Sequence, residues 1–283
     1  TRFFGPVREM SLVYNSFQGA AASLARIGEY LEMEPDVAAP EAPVPLDQTT
    51  PGRVVFENVG FAYPRGTDAG ADAATDAGAA EGSQTDREAA LRAVDLRVEP
   101  GETLAIVGPT GAGKTTLAML LARMYDPTEG SISIDDVDLR RVDPKTLRSL
   151  VSLVTQEVYL FPDTVAENIR YGRLDATDEE VREAALLAQA NAFIETLPAG
   201  YETEIGESGT RLSGGQKQLL SLARTILADP RVLILDEPTA NVDVITESLI
   251  QQGLKELTSG RTTFIIAHRF STVKEADRIV LLE

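Results

Sequence analysis

Residues Gly108-Pro109-Thr110-Gly111-Ala112-Gly113-Lys114-Thr115-Thr116 carry the spacing Gly-x4-Gly-Lys-Thr, and the chemistry of that spacing is the holding of phosphate. Glycines let the backbone turn tightly enough to aim successive N–H groups at phosphate oxygens. A helix beginning at the same place adds partial positive charge. Lys114 is then expected at the β- and γ-phosphates, and the Thr115 hydroxyl at a magnesium ion. The competing reading of the bare pattern is a glycine-rich turn.

Two acids, Asp236-Glu237, end the apolar run Val232-Leu233-Ile234-Leu235. In nucleoside-triphosphate hydrolases of the phosphate-loop type, an acid so placed helps hold magnesium, which Asp236 can do through water. Glu237 would then orient or deprotonate the attacking water, a general-base role worth about 10² to 10⁴ in rate. Without the loop the same pair could be ordinary polar residues where a buried strand meets solvent. A third group, Leu212-Ser213-Gly214-Gly215-Gln216, opens a helical pattern through Leu219, Leu220, Leu222, Ala223 and Ile226. Its serine, two glycines and helix start resemble a second anion site, although one phosphate does not need two.

The elements that would position these groups follow from periodicity. The run 104–107 reads as a buried strand, and Leu117, Leu120, Leu121 and Met124 recur at helical spacing behind the loop. Further strands are expected at 54–63, 91–98, 131–134, 151–155, 232–235, 263–267 and 278–282. Helices are expected near 246–257 and 271–276, and from a capping box at Thr177-Asp178-Glu179-Glu180 through Leu186 and Leu187. Residues 3–31 place Phe3, Val7, Met10, Tyr14, Phe17, Ala21, Leu24, Ile27 and Leu31 on one helical stripe. That stripe fits a packed helix, a coiled-coil seam or the end of a longer helix. Five prolines between 35 and 51 then enforce an extended linker. Residues 66–90, rich in Ala, Gly and Asp, have little to bury and read as a disordered acidic surface insertion.

Composition narrows the function classes. With 26 Lys plus Arg against 44 Asp plus Glu, the net charge of −18 disfavours a nucleic-acid partner. Cysteine is absent, which excludes disulfides and thiolate metal sites. No segment has the roughly 18 apolar residues of a membrane span. The chain starts at Thr1 rather than Met and stops just after an apolar run, so it reads as a piece of a longer polypeptide.

Leu-Ser-Gly-Gly-Gln, intact at 212–216, resembles the signature of the nucleotide-binding domain of ABC transporters, and the likeness extends over nearly all of 53–282 outside the insertion. It implies an α/β fold: a P-loop NTPase (RecA-like) core with an antiparallel β subdomain and a helical subdomain inserted at about 157–225. Residues 1–34 would be the extension of a last transmembrane helix, 35–52 a linker and 53–283 the domain proper.

The resemblance also assigns roles. Tyr63 matches the aromatic that stacks on adenine, although a buried strand tyrosine is the alternative. Gln156 matches the glutamine that touches magnesium and water, and His268, the chain's single histidine, the switch residue near the γ-phosphate. Residues 204–209 resemble an exporter-type segment that meets intracellular coupling helices. Asn241-Val242-Asp243 occupies the dimer-contact loop, where Ala-Leu-Asp is the commoner wording.

Ser213, Gly214, Gly215, Gln216 and Asp243 would act on the ATP of a second, identical or paralogous domain in a head-to-tail dimer. The resemblance thus implies an ATP- and magnesium-dependent motor at the cytoplasmic face of a membrane, fused to a transmembrane part that alone meets the transported substrate. The rival readings are a soluble ABC ATPase without a membrane partner and a regulatory subunit that barely turns over.

Overall fold

The computed structural model describes residues 4–32, 35, 37–46, 49–63, 89–206, 209, 211–236, 243–267, 273–274 and 276–283. The chain divides into two compact units, Thr1–Ala38 and Ala39–Glu283, and the division falls within the proline-rich stretch.

Among the described residues the first unit holds one helix, α1 (Phe4–Glu32). Its steps of three and four hold Met10, Tyr14, Phe17, Leu24, Ile27 and Leu31 on one stripe, and all six are exposed. Among the described residues no helix is long and apolar enough to cross a membrane.

In chain order the second unit begins with β1 (Val54–Phe61), β2 (Leu91–Val98), β3 (Thr103–Val107), α2 (Lys114–Leu121), β4 (Glu129–Ile134) and β5 (Val137–Asp138). It continues through α3 (Pro144–Leu150), β6 (Val151–Val154), α4 (Val165–Arg170), α5 (Asp178–Leu187) and α6 (Asn191–Ile194). It ends with α7 (Gly214–Ala228), β7 (Val232–Asp236), α8 (Val244–Thr258), β8 (Thr262–Ile266) and β9 (Arg278–Leu281).

Two sheets result. One is antiparallel, in the order β2-β1-β4-β5, and the other has the order β6-β7-β8-β3-β9 with every neighbouring pair parallel. Parallel strands need crossovers, and their faces are covered by what crosses over, so they read as unbroken apolar runs rather than alternating ones. β7 shows the reason. Leu233 and Leu235 join a core with α4, α5, α7 and α8, whereas Val232 and Ile234 join a second core with the antiparallel sheet, α2 and α3. Period-two alternation thus feeds both layers from one strand. In the second core Phe56 of β1 meets Phe264 of β8 edge-on, with ring centroids 6.3 Å apart. The chain therefore adopts the expected α/β class, with a parallel core, an antiparallel part and helices inserted between β6 and β7.

The strand expectations agree with the observed elements to within about two residues, except that Tyr63 lies just beyond β1. The capping box at Thr177 is present, with Thr177 Oγ1 accepting from Glu180 N–H and Glu180 Oε2 accepting from Thr177 N–H. Some apolar assignments change. α2 ends at Leu121, so Met124 falls past its C-cap and is exposed. Leu186 and Leu187 are exposed as well, because α5 buries its small face, Val181, Ala184 and Ala185. Residues 64–88, which contain most of the expected disordered insertion, lie outside the described residues. So do 268–272 and 275, of which 271, 272 and 275 fall within the expected last helix.

Candidate functional site

The five parallel strands all point one way, so their C-terminal ends form one edge of the sheet, where ligands of open α/β sheets bind. The loop after β3 turns there into α2. Gly111 and Gly113 have φ of 86° and 87°, in the left-handed region that glycine enters without strain. Gly113 is further confined, since a Cβ there would lie 2.6 Å from the Ala90 carbonyl oxygen and from Leu91 Cδ2. At Gly108 a Cβ would lie 2.3 Å from the Leu282 carbonyl oxygen, so the neighbouring strand end dictates glycine at that position.

Among the described residues no side chain caps α2, and its first turn carries no acid. Its leading N–H groups are therefore left for an anion. Lys114, nearly buried, donates through Nζ to the carbonyl oxygens of Gly108 (3.0 Å) and Pro109 (2.9 Å). Among the described residues, the loop carbonyls thus hold two of its three ammonium protons. Pro109, Thr110, Gly111 and Thr115 are exposed, Ala112 is half-buried, and Thr116 is buried.

Asp236 ends β7, paired in register with Ile266 of β8, and is half-buried. Gln156, two residues past β6, is exposed. Thr115, Gln156 and Asp236 all offer oxygen, the donor type magnesium prefers. Among the described residues no cluster of three or more His, Cys, Asp or Glu could hold a metal by itself. That sparse set suits magnesium, which keeps several waters and binds through one or two protein groups plus phosphate oxygens. The expected base Glu237 and switch residue His268 follow directly in sequence on β7 and β8–Ala267, and both lie outside the described residues, as do Asn241 and Val242.

Tyr63 is half-buried just past the end of β1. Its hydroxyl lies 2.9 Å from Thr116 Oγ1, so the aromatic is tied directly to α2. Its ring meets Phe61 and Tyr125 edge-on, at 4.9 and 5.5 Å between centroids. Tyr63 is thus a packed tyrosine just past the end of β1, standing beside the phosphate loop.

The 212–216 segment starts α7. Ser213 Oγ accepts from Gln216 N–H (3.2 Å), and Gln216 Oε1 accepts from Ser213 N–H (2.9 Å), a reciprocal capping box. Ser213 and Gly214 are exposed, while Gly215 is buried against α8, where a Cβ would lie 2.2 Å from Thr246 Cγ2. The two glycines thus do different things. Gly214 is exposed at the helix start, and Gly215 permits the close approach of α8. Asp243, exposed, precedes α8.

Sequence reasoning did not single out Arg224 and Asn168, which fasten the segment after Gln156 to the helices. Arg224 on α7 donates through Nε to the Asn168 carbonyl (2.9 Å), through Nη1 to the Tyr159 carbonyl (3.2 Å) and through Nη2 to Asn168 Oδ1 (3.1 Å). Its guanidinium also sits 5.6 Å from the ring centroids of Phe161 and Tyr171. Burial lowers its pKa from the ordinary value, with Tyr171 opposing the shift. Asn168 is buried and also ties Phe161 N–H and the Phe161 and Thr164 carbonyls. Asn168→Ala strands these groups and is expected to lower stability by about 2–4 kcal/mol, read as a shift of the urea midpoint. A groove of about 400 Å³ opens beside this knot, lined among others by Arg148, Thr155, Glu157, Tyr159, Tyr171 and Arg224.

A parallel sheet with a phosphate loop after one strand and an acid at the end of another defines a phosphate-loop nucleotide-binding domain. The family model described as ABC transporter matches residues 91–240, more than half of the chain. The chain belongs to the ABC transporter family and is an ATPase domain of it. It is 43% identical over 282 residues to the "Fatty acid ABC transporter ATP-binding/permease protein" of Mycobacterium bovis, covering 100% of this chain and 41% of that protein. It is 44% identical over 281 residues to the "ATP-dependent lipid A-core flippase" of Chromobacterium violaceum, covering 99% of this chain and 44% of that protein. Among solved structures, a bacterial Atm1-family ABC exporter with ATP bound superposes with a TM-score of 0.79 at 37% identity, over 100% of this chain and 46% of that one. The chain thus spans under half the length of these relatives.

Proposed function

We propose that this chain is the ATP-hydrolysing motor domain of an exporter-type ABC transporter, fused in the whole protein to a transmembrane domain and working at the cytoplasmic face of the membrane. The uncapped α2 start with Lys114 folded onto the loop carbonyls carries the ATP-binding half of this reading. The Mycobacterium bovis relative, whose name joins ATP-binding with permease, supports the other half.

In this reading Tyr63 stacks on adenine, the amides of residues 108–116 cradle the phosphates, and Lys114 binds the β- and γ-phosphates. Thr115, Gln156 and Asp236 would hold magnesium, which when bound neutralises charge on the β- and γ-phosphate oxygens. Glu237 takes a proton from water as the water oxygen bonds to the γ-phosphorus and the bond to the β-phosphate oxygen breaks, giving ADP and phosphate. His268 orients the γ-phosphate. Ser213, Gly214, Gly215, Gln216 and Asp243 of a second domain close the site. Closure then drives the membrane part, and hydrolysis resets it.

A composite site makes turnover depend on association. Phosphate release per chain is expected to rise with protein concentration until dimers dominate, at a concentration where single-chain ATP binding is already complete. A rate per chain independent of concentration would remove the composite site.

A further inference from the structure

Thr246, in the first turn of α8, touches both segments assigned above to a second chain's nucleotide. Asp243 Oδ1 accepts the Thr246 backbone N–H at 3.0 Å, and Oδ2 accepts its hydroxyl at 2.6 Å. The Asp243 carbonyl accepts Glu247 N–H at 2.8 Å, so Asp243 is held to the helix by backbone and carboxylate together. In the other direction the Thr246 methyl fills the space above Gly215. A Cβ on that glycine would lie 2.2 Å from Thr246 Cγ2, 3.0 Å from its Cβ and 3.4 Å from its Oγ1. A threonine suits both contacts, since hydroxyl and methyl diverge from one carbon whose χ1 is stiff.

We propose that Thr246 is a positioning residue for ATP hydrolysis, fixing the spacing between Asp243 and the Ser213–Gln216 helix start so that the two reach the opposite nucleotide as one rigid face. The proposal rests on the composite-site reading. Two loops that must order separately as two chains close each add an entropic cost to closure, and a strut between them removes one. Displacement of about 1 Å at a reacting centre can cost as much as 10² in rate. Asp243 and residues 213–216 touch reacting groups in this scheme, and Thr246 acts only through them.

The test compares the chain with Thr246→Val, which keeps the branched shape and loses the hydroxyl bond, and with Thr246→Ser, which keeps the bond and loses the methyl. For Thr246→Val the protein concentration giving half-maximal phosphate release is expected to rise about two- to twelvefold, the worth of one hydrogen bond. ATP affinity of the single chain should stay at the parental value, and the variant should stay folded at the assay temperature, its melting temperature lowered only by the one bond removed. In a second arm, Gly215→Ala should depress turnover, and Gly215→Ala/Thr246→Ser should recover part of it by removing the atom the new methyl strikes. An unshifted half-maximal concentration in Thr246→Val, or a double variant no better than Gly215→Ala, overturns the proposal. So does a loss that follows melting temperature alone, which would make Thr246 an ordinary helix cap. A parental rate linear in protein concentration would instead remove the composite site itself, and that result is read without any variant.

Discussion

Lys114→Ala is expected to weaken ATP binding by the single chain about ten- to a hundredfold, the loss of one hydrogen bond from a charged donor to phosphate. The ammonium is nearly buried, and the Gly108 and Pro109 carbonyls hold it in place before any ligand arrives. Little side-chain entropy is therefore lost when ATP binds, and the interaction is close to its full worth. Alanine also leaves those two carbonyls without their donor, so the loop loses its internal brace along with the charge. Lys114→Arg should not restore affinity, because a planar fork cannot occupy the place of a compact ammonium beneath the same carbonyls. The fold should survive both changes, since Leu117, Leu120 and Leu121 anchor α2 in the core independently of Lys114. Calorimetric titration with ATP reads the effect directly. An alanine variant that binds ATP like the parent would remove the phosphate-loop assignment.

The local parts of this site were legible in the sequence because local chemistry specifies them. A strand, a glycine-rich turn and a helix need only neighbours along the chain, and the same holds for the Thr177 capping box. The sequence also carries a start signal for α3. Asp143-Pro144 is a helix start, and in the structure Asp143 Oδ2 accepts from Lys145 and Thr146 N–H to open α3. Ser213-x-x-Gln216, already expected to open a helix, is a capping-box spelling as well, which the structure realises alongside the exposed helix start.

What sequence patterns could not supply is which distant backbone presses on which glycine. Gly108 is dictated by Leu282, Gly113 by Ala90 and Leu91, and Gly215 by Thr246, each pair set by tertiary packing. The same blindness hid Arg224 and Asn168. A half-buried arginine that ties the segment after β6 to α4 looks, in one dimension, like any cation on a helix.

The sheet turns these separate motifs into one surface. Since β6, β7, β8 and β3 are parallel neighbours, Gln156, Asp236 and the phosphate loop emerge from a common edge although long segments separate them in the chain. The α4–α7 helices intervene between β6 and β7, so the Ser213–Gln216 segment is carried on an element distinct from that edge. A chain with its phosphate loop on the sheet and its second anion-type helix start on an inserted helix suits a shared site.

Glu237→Gln is expected to lower ATP hydrolysis by about 10² to 10⁴ while leaving ATP affinity near the parental value. The amide matches the carboxylate in volume and can still accept a hydrogen bond from water, but it cannot take up the proton released as water attacks phosphorus. Lys114 and the loop amides, which supply the binding, are untouched. The variant should therefore hold ATP without spending it. If closure needs two bound nucleotides, it should accumulate dimers in the presence of ATP that the parent forms only transiently, visible as a concentration-dependent shift in sedimentation. Glu237→Ala separates the base role from a merely structural one, because its vacated space admits a carboxylate from solution. Added formate should then restore part of the alanine variant's turnover and none of the glutamine variant's. Parental turnover in Glu237→Gln would remove Glu237 from the base role and shift attention to Asp236, whose substitution should then reduce hydrolysis more than ATP binding.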